Sequence, residues 1–352
     1  MISESFLILK GYKQTHRFIG NSSVVNVYEA GDKAYAVKRP KNGQMVHPWQ
    51  ISAQKEYAMQ KILRKLHTPV QTAEIESFQN NALIENYLPG QPLTGLLYAS
   101  LPKQEQNQIA RDIAVFLNTL HQFHLETIEN KVPVTPEPLG YGTGTIIQRS
   151  VGNKYWDLFQ SNLHHIYATR HLGKHIAYTH QDLRPDNVLY DMNTKRVKII
   201  DFGEAGNDKD LYYDFAPAIS KAGLLPWELT QKIIKIYNGL DKKTPVHIDM
   251  ELVRNLQIQQ ILKLFECKIF ESNLELPRVS YTALGTSFNT YRGNVRIGNI
   301  PEQTLQQASE FYKEEFKPLI DERLGNRIGV RKTHDWQKNI IHGYKSYMRI
   351  RG

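Results

Sequence analysis

Three polar residues near the middle of the chain have the side chains and the order that phosphoryl transfer requires. Asp182 and Asn187 lie in one loop, which reads His-Gln-Asp-Leu-Arg-Pro-Asp-Asn from His180, and Asp201 follows a short apolar run. A phosphoryl group in transit needs its attacking hydroxyl held in line and its negative charge neutralised by metal. Asp182 can accept or orient the proton of that hydroxyl, and Asn187 and Asp201 can hold magnesium. The pattern therefore predicts phosphoryl-transfer chemistry.

A loop and a hairpin are predicted to bring these residues together. Pro185 stiffens the middle of the loop, and residues 188–190 begin a short strand. A polar turn over 191–194 leads into a second strand over 197–200, which is rich in β-branched residues. The end of this second strand is expected to carry Asp201 back beside the loop.

The loop and the Asp-Phe-Gly tripeptide that starts at Asp201 match the catalytic signature shared by protein kinases and their small-molecule-kinase relatives. The alternative interpretation is that His180, Asp182, Asn187 and Asp201 are ordinary polar loop residues, as each would be alone. Because all four occur in the expected order, the signature is the favoured interpretation. It predicts ATP and magnesium as cofactors.

Lys38 is the predicted phosphate-binding lysine. Strands are predicted over 16–19, 24–30 and 33–38, and the last ends in Ala-Val-Lys, as the third strand of kinases does. In kinases that lysine binds phosphates and pairs with a glutamate on a helix. Over 51–66 the apolar residues recur at helical spacing. Glu56 borders that apolar stripe and is the predicted partner, unless it is simply a solvated residue at the helix edge.

The loop before the second strand could offer donors to the ATP phosphates. It reads Gly-Asn-Ser-Ser over 20–23, so the hydroxyls of Ser22 and Ser23 and the nearby backbone N–H groups can donate to phosphate oxygens. The loop has one glycine rather than the three of Gly-x-Gly-x-x-Gly, and taken alone it is better interpreted as a plain hairpin.

The chain of 352 residues exceeds the usual size of one hydrophobic core, so two lobes are expected. Residues 1–88 are predicted to form a nucleotide-binding lobe with a five-stranded antiparallel sheet and one helix. A Pro-Gly-Gln-Pro turn over 89–92 marks the hinge. Residues 89–352 are predicted to form a larger, mainly helical lobe for catalysis and substrate binding. Its main helices are expected over 101–125, 227–237, 250–272 and 301–322. The predicted fold class is α+β.

These features together resemble the aminoglycoside phosphotransferase and choline-kinase-like superfamily, whose fold is the two-lobed protein-kinase-like fold. The similarity covers residues 18–215. It is most specific in the loop 180–187, in the Ile-Asp-Phe-Gly run over 200–203, and in a Tyr-Asp pair that ends at Asp214. Gln181 departs from the pattern, because glycine is usual at that position.

The resemblance implies a role for each matching position. The implied roles are phosphate contact for Lys38 held by Glu56, enclosure of adenine for Ala36, Leu189 and Ile200, binding of the adenine edge through the backbone of Glu85 and Tyr87, catalytic base for Asp182, and magnesium coordination for Asn187 and Asp201. Asp214 would be structural and would tie the segment after Phe202 to the helical lobe.

Composition is that of an ordinary globular protein. Hydrophobic residues make up 41% of the chain and charged residues 22%, as in folded soluble proteins. No apolar run approaches the roughly 18 residues of a membrane span, so no transmembrane segment is expected and the cytoplasm is the default location. The single cysteine, Cys267, excludes an internal disulfide and a Cys-based zinc cluster.

The net charge of +9 is concentrated at the C-terminus. From residue 323 onward one acidic residue, Asp335, stands against eight basic residues, which are Arg323, Arg327, Arg331, Lys332, Lys338, Lys345, Arg349 and Arg351. Such a tail (323–352) is expected either to meet an anionic partner or a membrane surface, or to be only a solvated end. The sequence does not indicate the oligomeric state.

Three functions are consistent with these residues. The first is an ATP- and magnesium-dependent kinase for a hydroxyl of a small molecule such as an aminoglycoside, choline or a sugar. The second is a protein-kinase-like regulator or effector; the short segment after Asp201, which lacks Ala-Pro-Glu, argues against it. The third is a non-catalytic nucleotide-binding scaffold, but Lys38, Asp182, Asn187 and Asp201 are all present. The first hypothesis is therefore preferred.

Overall fold

The computed structural model of the protein describes residues 3–19, 23–41, 46–79, 81–123, 125–128, 174–207, 211–217, 224–241, 246–271, 310 and 312–323. The strands are β1 (Lys13–Ile19), β2 (Ser23–Ala30), β3 (Lys33–Pro40), β4 (Gln71–Thr72), β5 (Ile75–Gln79), β6 (Ala82–Asn86), β7 (Gln91–Pro92), β8 (Leu125–Ile128), β9 (Lys174–Ala177), β10 (Val188–Asp191) and β11 (Arg196–Ile199). The helices are α1 (Glu4–Leu9), α2 (Val46–Leu63), α3 (Gly95–Ser100), α4 (Lys103–Phe123), α5 (Trp227–Gly239), α6 (Met250–Glu271) and α7 (Lys317–Arg323). Short helical turns cover Phe202–Glu204, Leu211–Asp214 and Tyr312–Phe316.

The predicted five-stranded antiparallel sheet is present. Its strand order is β1-β2-β3-β6-β5, and every neighbouring pair is antiparallel. Each predicted strand lies within a few residues of an observed one, because alternating apolar residues and tight turns define these strands locally. Helix α1 was not predicted; its N-cap Ser3 accepts the Phe6 N–H at 3.1 Å.

The two faces of this sheet are covered by different helices. Alternate residues of a strand point to opposite faces. On one face, Val37 and Ile84 pack with Leu7 of α1. On the other, Leu83 packs with Trp49 of α2. By the same alternation, the side chains of Lys38 on β3 and Glu85 on β6 lie on the same face as Leu83. This is the face that carries α2.

A second sheet, ordered β4-β11-β10-β7, carries the predicted hairpin. Strands β10 and β11 pair from Val188 with Ile199 to Asp191 with Arg196. The Asp191 side chain accepts the N–H of Asn193 at 2.9 Å, which closes the turn. The chain after β6 enters this sheet as β7, and a Cβ added to Gly90 would lie 2.9 Å from the Leu189 Cβ. The turn at 89–92 is therefore packed against β10 too closely for a larger residue.

The chain forms two compact units. The first comprises Met1–Thr127, His175–Phe215 and Glu228–His247, and it contains both sheets described above. Within it, the predicted long helix α4 buries one apolar stripe, and His121 near its C-terminus is fully buried. Strands β8 and β9 pair with each other as a two-stranded sheet. The predicted division of the chain at residue 88 stays a prediction.

The second unit includes α6 and α7. Arg323, the last residue of α7, is 3% exposed. Its Nε donates to Gln257 Oε1 on α6 at 2.9 Å, and its Nη1 donates to the Leu319 carbonyl at 2.9 Å. The sequence predicts Arg323 as the start of the basic tail, but the structure buries it, because Gln257, the Leu319 carbonyl and the Glu322 carboxylate accept hydrogen bonds from its guanidinium. Residues 324–352 lie outside the described residues. The side chain of Cys267 is also outside the described part of the structure.

A helix that spans a membrane needs about 20 predominantly apolar residues. Across the residues described above, no helix combines the necessary length with sufficient apolar character.

Candidate active site

The first cluster of the candidate site surrounds the amine of Lys38. Lys38 lies on β3, Glu85 on the neighbouring β6 and Glu56 on α2, so the sheet and its covering helix converge here. The Lys38 Nζ lies 2.8 Å from Glu56 Oε1, 3.2 Å from Glu85 Oε1 and 3.6 Å from Asp201 Oδ1. One largely enclosed cation thus faces three carboxylates.

Asp201 reaches this cluster through an unusual backbone conformation. Its φ is 64° and its ψ 68°, in the left-handed region, which aspartate adopts more readily than most residues. The following N–H, that of Phe202, donates to Glu56 Oε1 at 3.2 Å. Glu56 therefore binds both Lys38 and the turn that carries Asp201. A Cβ on Gly203 would lie 2.1 Å from Ser52 Oγ on α2, so glycine at this position lets the turn approach the helix.

The charges in this cluster shift each other's protonation. Burial alone lowers the pKa of Lys38, but the carboxylates of Glu56, Glu85 and Asp201 outweigh it and raise that pKa well above its usual value. Burial raises the pKa of Glu56 and of Glu85, although the Lys38 charge opposes it. Lys38 is therefore an ammonium ion at physiological pH, and burial makes the two glutamates beside it easier to protonate than free glutamate.

The second cluster lies in the loop between β9 and β10. Asn187 Nδ2 donates to Asp182 Oδ2 and to the Asp182 carbonyl, each at 2.8 Å. Arg184 Nη2 donates to Asp182 Oδ2 at 2.7 Å, and Arg184 Nε lies 2.7 Å from Asp182 Oδ1. The Ile200 N–H donates to the Asn187 carbonyl at 3.0 Å, which ties the loop to the residue before Asp201.

The protonation of Asp182 suits a proton acceptor near neutral pH. Burial raises its pKa to about 7, while the guanidinium of Arg184 acts in the opposite direction. A general base is most effective when its pKa lies near the working pH. Asp182 can therefore exchange a proton with a hydroxyl group under physiological conditions.

A buried network holds this loop in place. Asp214 Oδ2 accepts the His180 N–H at 3.1 Å, and Oδ1 accepts the Gln181 N–H at 2.7 Å. His121 on α4 donates from Nε2 to Asp214 at 2.9 Å, and its Nδ1 lies 3.0 Å from the Tyr237 hydroxyl. Gln181 has a φ of 65°, which explains why glycine is usual at this position. These hydrogen bonds maintain the strained loop.

His180 supports the same loop from within. Its Nε2 donates to the Ile200 carbonyl at 3.0 Å, and its Nδ1 accepts the Asp182 N–H at 3.3 Å. Burial lowers the pKa of His180, so the ring is neutral, with its proton on Nε2. The imidazole therefore links the Asp182 backbone to the strand end that precedes Asp201.

The predicted magnesium ligands have suitable chemistry. Asn187 uses its amide nitrogen for Asp182 and so presents its amide oxygen, and the Asp201 side chain is 48% exposed. Magnesium in phosphoryl-transfer sites takes oxygen ligands, commonly one or two protein groups together with phosphates and water. In the described part of the chain no cluster of three or more His, Cys, Asp and Glu forms a metal site. The oxygens of Asn187 and Asp201 are of the kind that could hold magnesium jointly with phosphate.

The other predicted site residues have these positions. Ser22 lies outside the described residues, and Ser23 begins β2, where it pairs with Pro40. Ala36 and Leu189 are buried and Ile200 is partly buried, each on a strand or directly after one. The Tyr87 N–H donates to the Ala34 carbonyl at 2.9 Å, so the sheet already uses it. The roles of these residues in binding adenine stay predictions.

Two residues of the site were missed by the sequence interpretation. The Glu85 side chain was not assigned a role, since only its backbone was expected to act, and Arg184 was not considered. No local sequence signal indicates Glu85, because its approach to Lys38 depends on the register in which β3 pairs with β6. Arg184 could have been found as a cation two residues from Asp182 in a tight loop.

The amino-acid pattern of a known family, the Phosphotransferase enzyme family, matches residues 19–231. The chain belongs to this family. The predicted resemblance is thereby confirmed, and the protein is a phosphotransferase, a kinase of the class whose acceptor is an alcohol group. The matched residues include both clusters of the candidate site.

Solved structures of two relatives show the same fold. The crystal structure of aminoglycoside phosphotransferase APH(2'')-Ib, ADP-bound, is 18% identical and has a TM-score of 0.50, and the match covers 86% of this chain and 97% of that chain. The GDP and kanamycin complex of another APH(2'') enzyme is 15% identical with a TM-score of 0.51, covering 91% and 94%. At these identities the similarity establishes the fold, and it confirms the predicted α+β, kinase-like class.

Proposed function

We propose that this phosphotransferase uses ATP with magnesium to phosphorylate a hydroxyl group of a small molecule. The observation that carries the proposal is the approach of Lys38 Nζ to within 3.6 Å of Asp201 Oδ1. A cation from β3 and a carboxylate from the end of β11 meet at one point, as binding of a metal–nucleotide requires. The two similar structures contain ADP and GDP, which supports nucleotide use.

The geometry supports a role for each of five residues. Lys38, oriented by Glu56, binds phosphate oxygens; Asn187 and Asp201 would hold magnesium. When bound, the metal supplies charge neutralisation for the phosphoryl group. Asp182 accepts the proton of the acceptor hydroxyl, and Asn187 holds the carboxylate in place through its 2.8 Å hydrogen bond.

A small acceptor is favoured over a protein acceptor. The chain runs from Asp201 to Asp214 without a long intervening segment, and Asp214 returns at once to the catalytic loop through its bonds to the His180 and Gln181 N–H groups. A kinase that docks a peptide uses a longer segment after Asp-Phe-Gly. The sequence between Asp201 and Asp214 therefore supports a small-molecule acceptor.

Acceptor-dependent transfer tests the proposal. Purified protein would be incubated with magnesium and ATP, and in parallel with GTP, across aminoglycosides, choline, sugars, nucleosides and lipopolysaccharide sugars. Product mass and nucleoside diphosphate release would be measured against hydrolysis without acceptor, with Asp182→Asn as the matched inactive control. We expect at least one acceptor to gain the mass of a phosphoryl group. No nucleotide binding and no transfer to any acceptor would contradict the proposal.

A further inference from the structure

Lys38 has one more carboxylate neighbour than its proposed role requires. Glu56, Glu85 and Asp201 lie 2.8, 3.2 and 3.6 Å from its amine. Glu56 accepts a hydrogen bond from the Lys38 amine, and Glu85 and Asp201 lie at ion-pair distance from it. A phosphate that approaches Lys38 therefore competes with these carboxylates for its charge.

Glu56 and Asp201 each have a further connection in the site. Glu56 also accepts the Phe202 N–H at 3.2 Å, so it holds the turn after β11 as well as Lys38. Asp201 is the half-exposed carboxylate at that turn, with side-chain exposure of 48%. Movement of either residue would disturb the turn itself.

Glu85 lacks such a second connection. Its side chain is 6% exposed, and in the described part of the chain Lys38 is the polar partner of its carboxylate. Glu85 lies on β6, which pairs with β3 on one side and with β5 on the other, so the sheet fixes its backbone. Glu85 is thus the partner that Lys38 can leave without loss of another bond.

The charges favour the same exchange. Three carboxyl groups surround one ammonium, and an ionised carboxylate repels an incoming phosphate. Burial raises the pKa of Glu85 and the Lys38 charge lowers it, so the ionised form of Glu85 depends on this lysine. Moving Lys38 toward phosphate would increase the cost of the Glu85 charge further.

We propose that Glu85 competes with the nucleotide phosphates for Lys38 and thereby lowers the nucleotide affinity of this protein. The inference rests on the proposed function, because it requires phosphate at Lys38. Glu56 orients the lysine for the nucleotide, whereas Glu85 keeps the lysine amine away from the phosphates. Two buried glutamates on one lysine would then have opposite effects on binding.

The matched substitutions Glu85→Gln and Glu56→Gln test this opposition. Each keeps the size of the side chain and removes its charge. Dissociation constants for magnesium and a non-hydrolysable ATP analogue would be measured by titration calorimetry. We expect Glu85→Gln to bind roughly twofold to fivefold more tightly than the wild type, the range of one weak ion pair. Glu56→Gln should bind more weakly.

Ligand fragments locate the effect. Adenosine has the base without phosphates, and tripolyphosphate has phosphates without the base. Glu85→Gln should bind tripolyphosphate more tightly and leave adenosine affinity unchanged. The gain should also vanish in the Lys38→Met background, because the competition acts through the lysine.

Several outcomes would overturn the inference. They are unchanged or weaker ATP-analogue binding by Glu85→Gln, an equal change for adenosine, and a gain that persists in Lys38→Met. Thermal unfolding without ligand checks that each variant folds, and Glu85→Met replaces Glu85→Gln if the latter does not. Absence of nucleotide binding, or wild-type affinity in Lys38→Met, would instead contradict the proposed function and the inference with it.

Discussion

Two polar clusters in the first unit differ in how well their charges are matched. At Asp214, one buried carboxylate meets the His180 and Gln181 N–H groups and His121, so donors and acceptors match. At Lys38, one partly exposed ammonium meets three carboxyl groups, so acceptors outnumber the cation. Buried polar groups that are fully paired stabilise a single arrangement. The cluster around Lys38 is a place where the charge of a ligand can be accommodated. The cluster around Asp214 holds the neighbouring loop in position.

The same distinction separates two neighbouring residues, Gln181 and Asp182, of the loop between β9 and β10. The backbone at Gln181 is fixed by Asp214, whereas the Asp182 side chain keeps a pKa raised by burial to about 7. Perturbed protonation of this kind is typical of functional positions. Equivalent substitutions in the two clusters should therefore have different consequences.

Asp182→Asn should have the largest effect, and mainly on activity. Loss of a positioned general base costs about 10²- to 10⁴-fold in rate. Stability should fall less than in the Asp214 variant described next, because the Asp182 side chain is 17% exposed and water can reach the donors of Arg184 that lose an acceptor. Transfer kinetics on the acceptor found above and a urea unfolding curve would measure the two effects. Activity within twofold of wild type would rule out the proposed role of Asp182.

Asp214→Asn should mainly destabilise the protein, by about 3 kcal/mol, because the amide cannot accept all the donors that face Asp214. Urea unfolding would measure the free energy of unfolding, with Asp182→Asn as the matched control for the same chemical change. A smaller loss in the free energy of unfolding for Asp214→Asn than for Asp182→Asn would show that Asp214 is not the more important of the two for stability.

The pH dependence should report Asp182. Its ionised form accepts the proton, so kcat/KM should rise about tenfold per pH unit below pH 7 and level off above it, since burial raises this pKa to about 7. Arg184 lowers that pKa, so Arg184→Gln should move the midpoint upward. A pH–rate series of both proteins checks the direction, and a downward movement would contradict it.

Gly203→Ala should destabilise the turn by about 1–3 kcal/mol through overpacking. The added Cβ would lie 2.1 Å from Ser52 Oγ but 3.5 Å from Ser52 Cβ. Ser52→Ala should therefore rescue Gly203→Ala, as a thermal melt of the single and double variants would show. No rescue would mean that the close approach is not the reason for glycine.

Gln181→Gly should have the smallest effect, a gain of up to about 1 kcal/mol. The φ of 65° is unfavourable for glutamine and readily adopted by glycine. Chemical denaturation of the two proteins would measure it. A clear loss of stability would indicate that the glutamine side chain contributes more than its backbone costs.

The sequence by itself determined the elements that depend on local patterns. Alternating apolar residues and tight turns specified the five strands of the first sheet, and helical periodicity specified α2 and α4. The order of polar residues in the loop and after β11 was sufficient to predict Asp182, Asn187 and Asp201 as candidates. Such signals survive in the sequence because each involves residues close together along the chain.

Only the tertiary structure decided which side chains meet. The approach of Glu85 to Lys38 depends on the register of β3 with β6, and the burial of Arg323 depends on Gln257 of α6. Such contacts join residues that are distant in sequence, and their types alone do not indicate them. Glutamate and arginine are usually solvated, so their burial followed from partners that only the fold supplies.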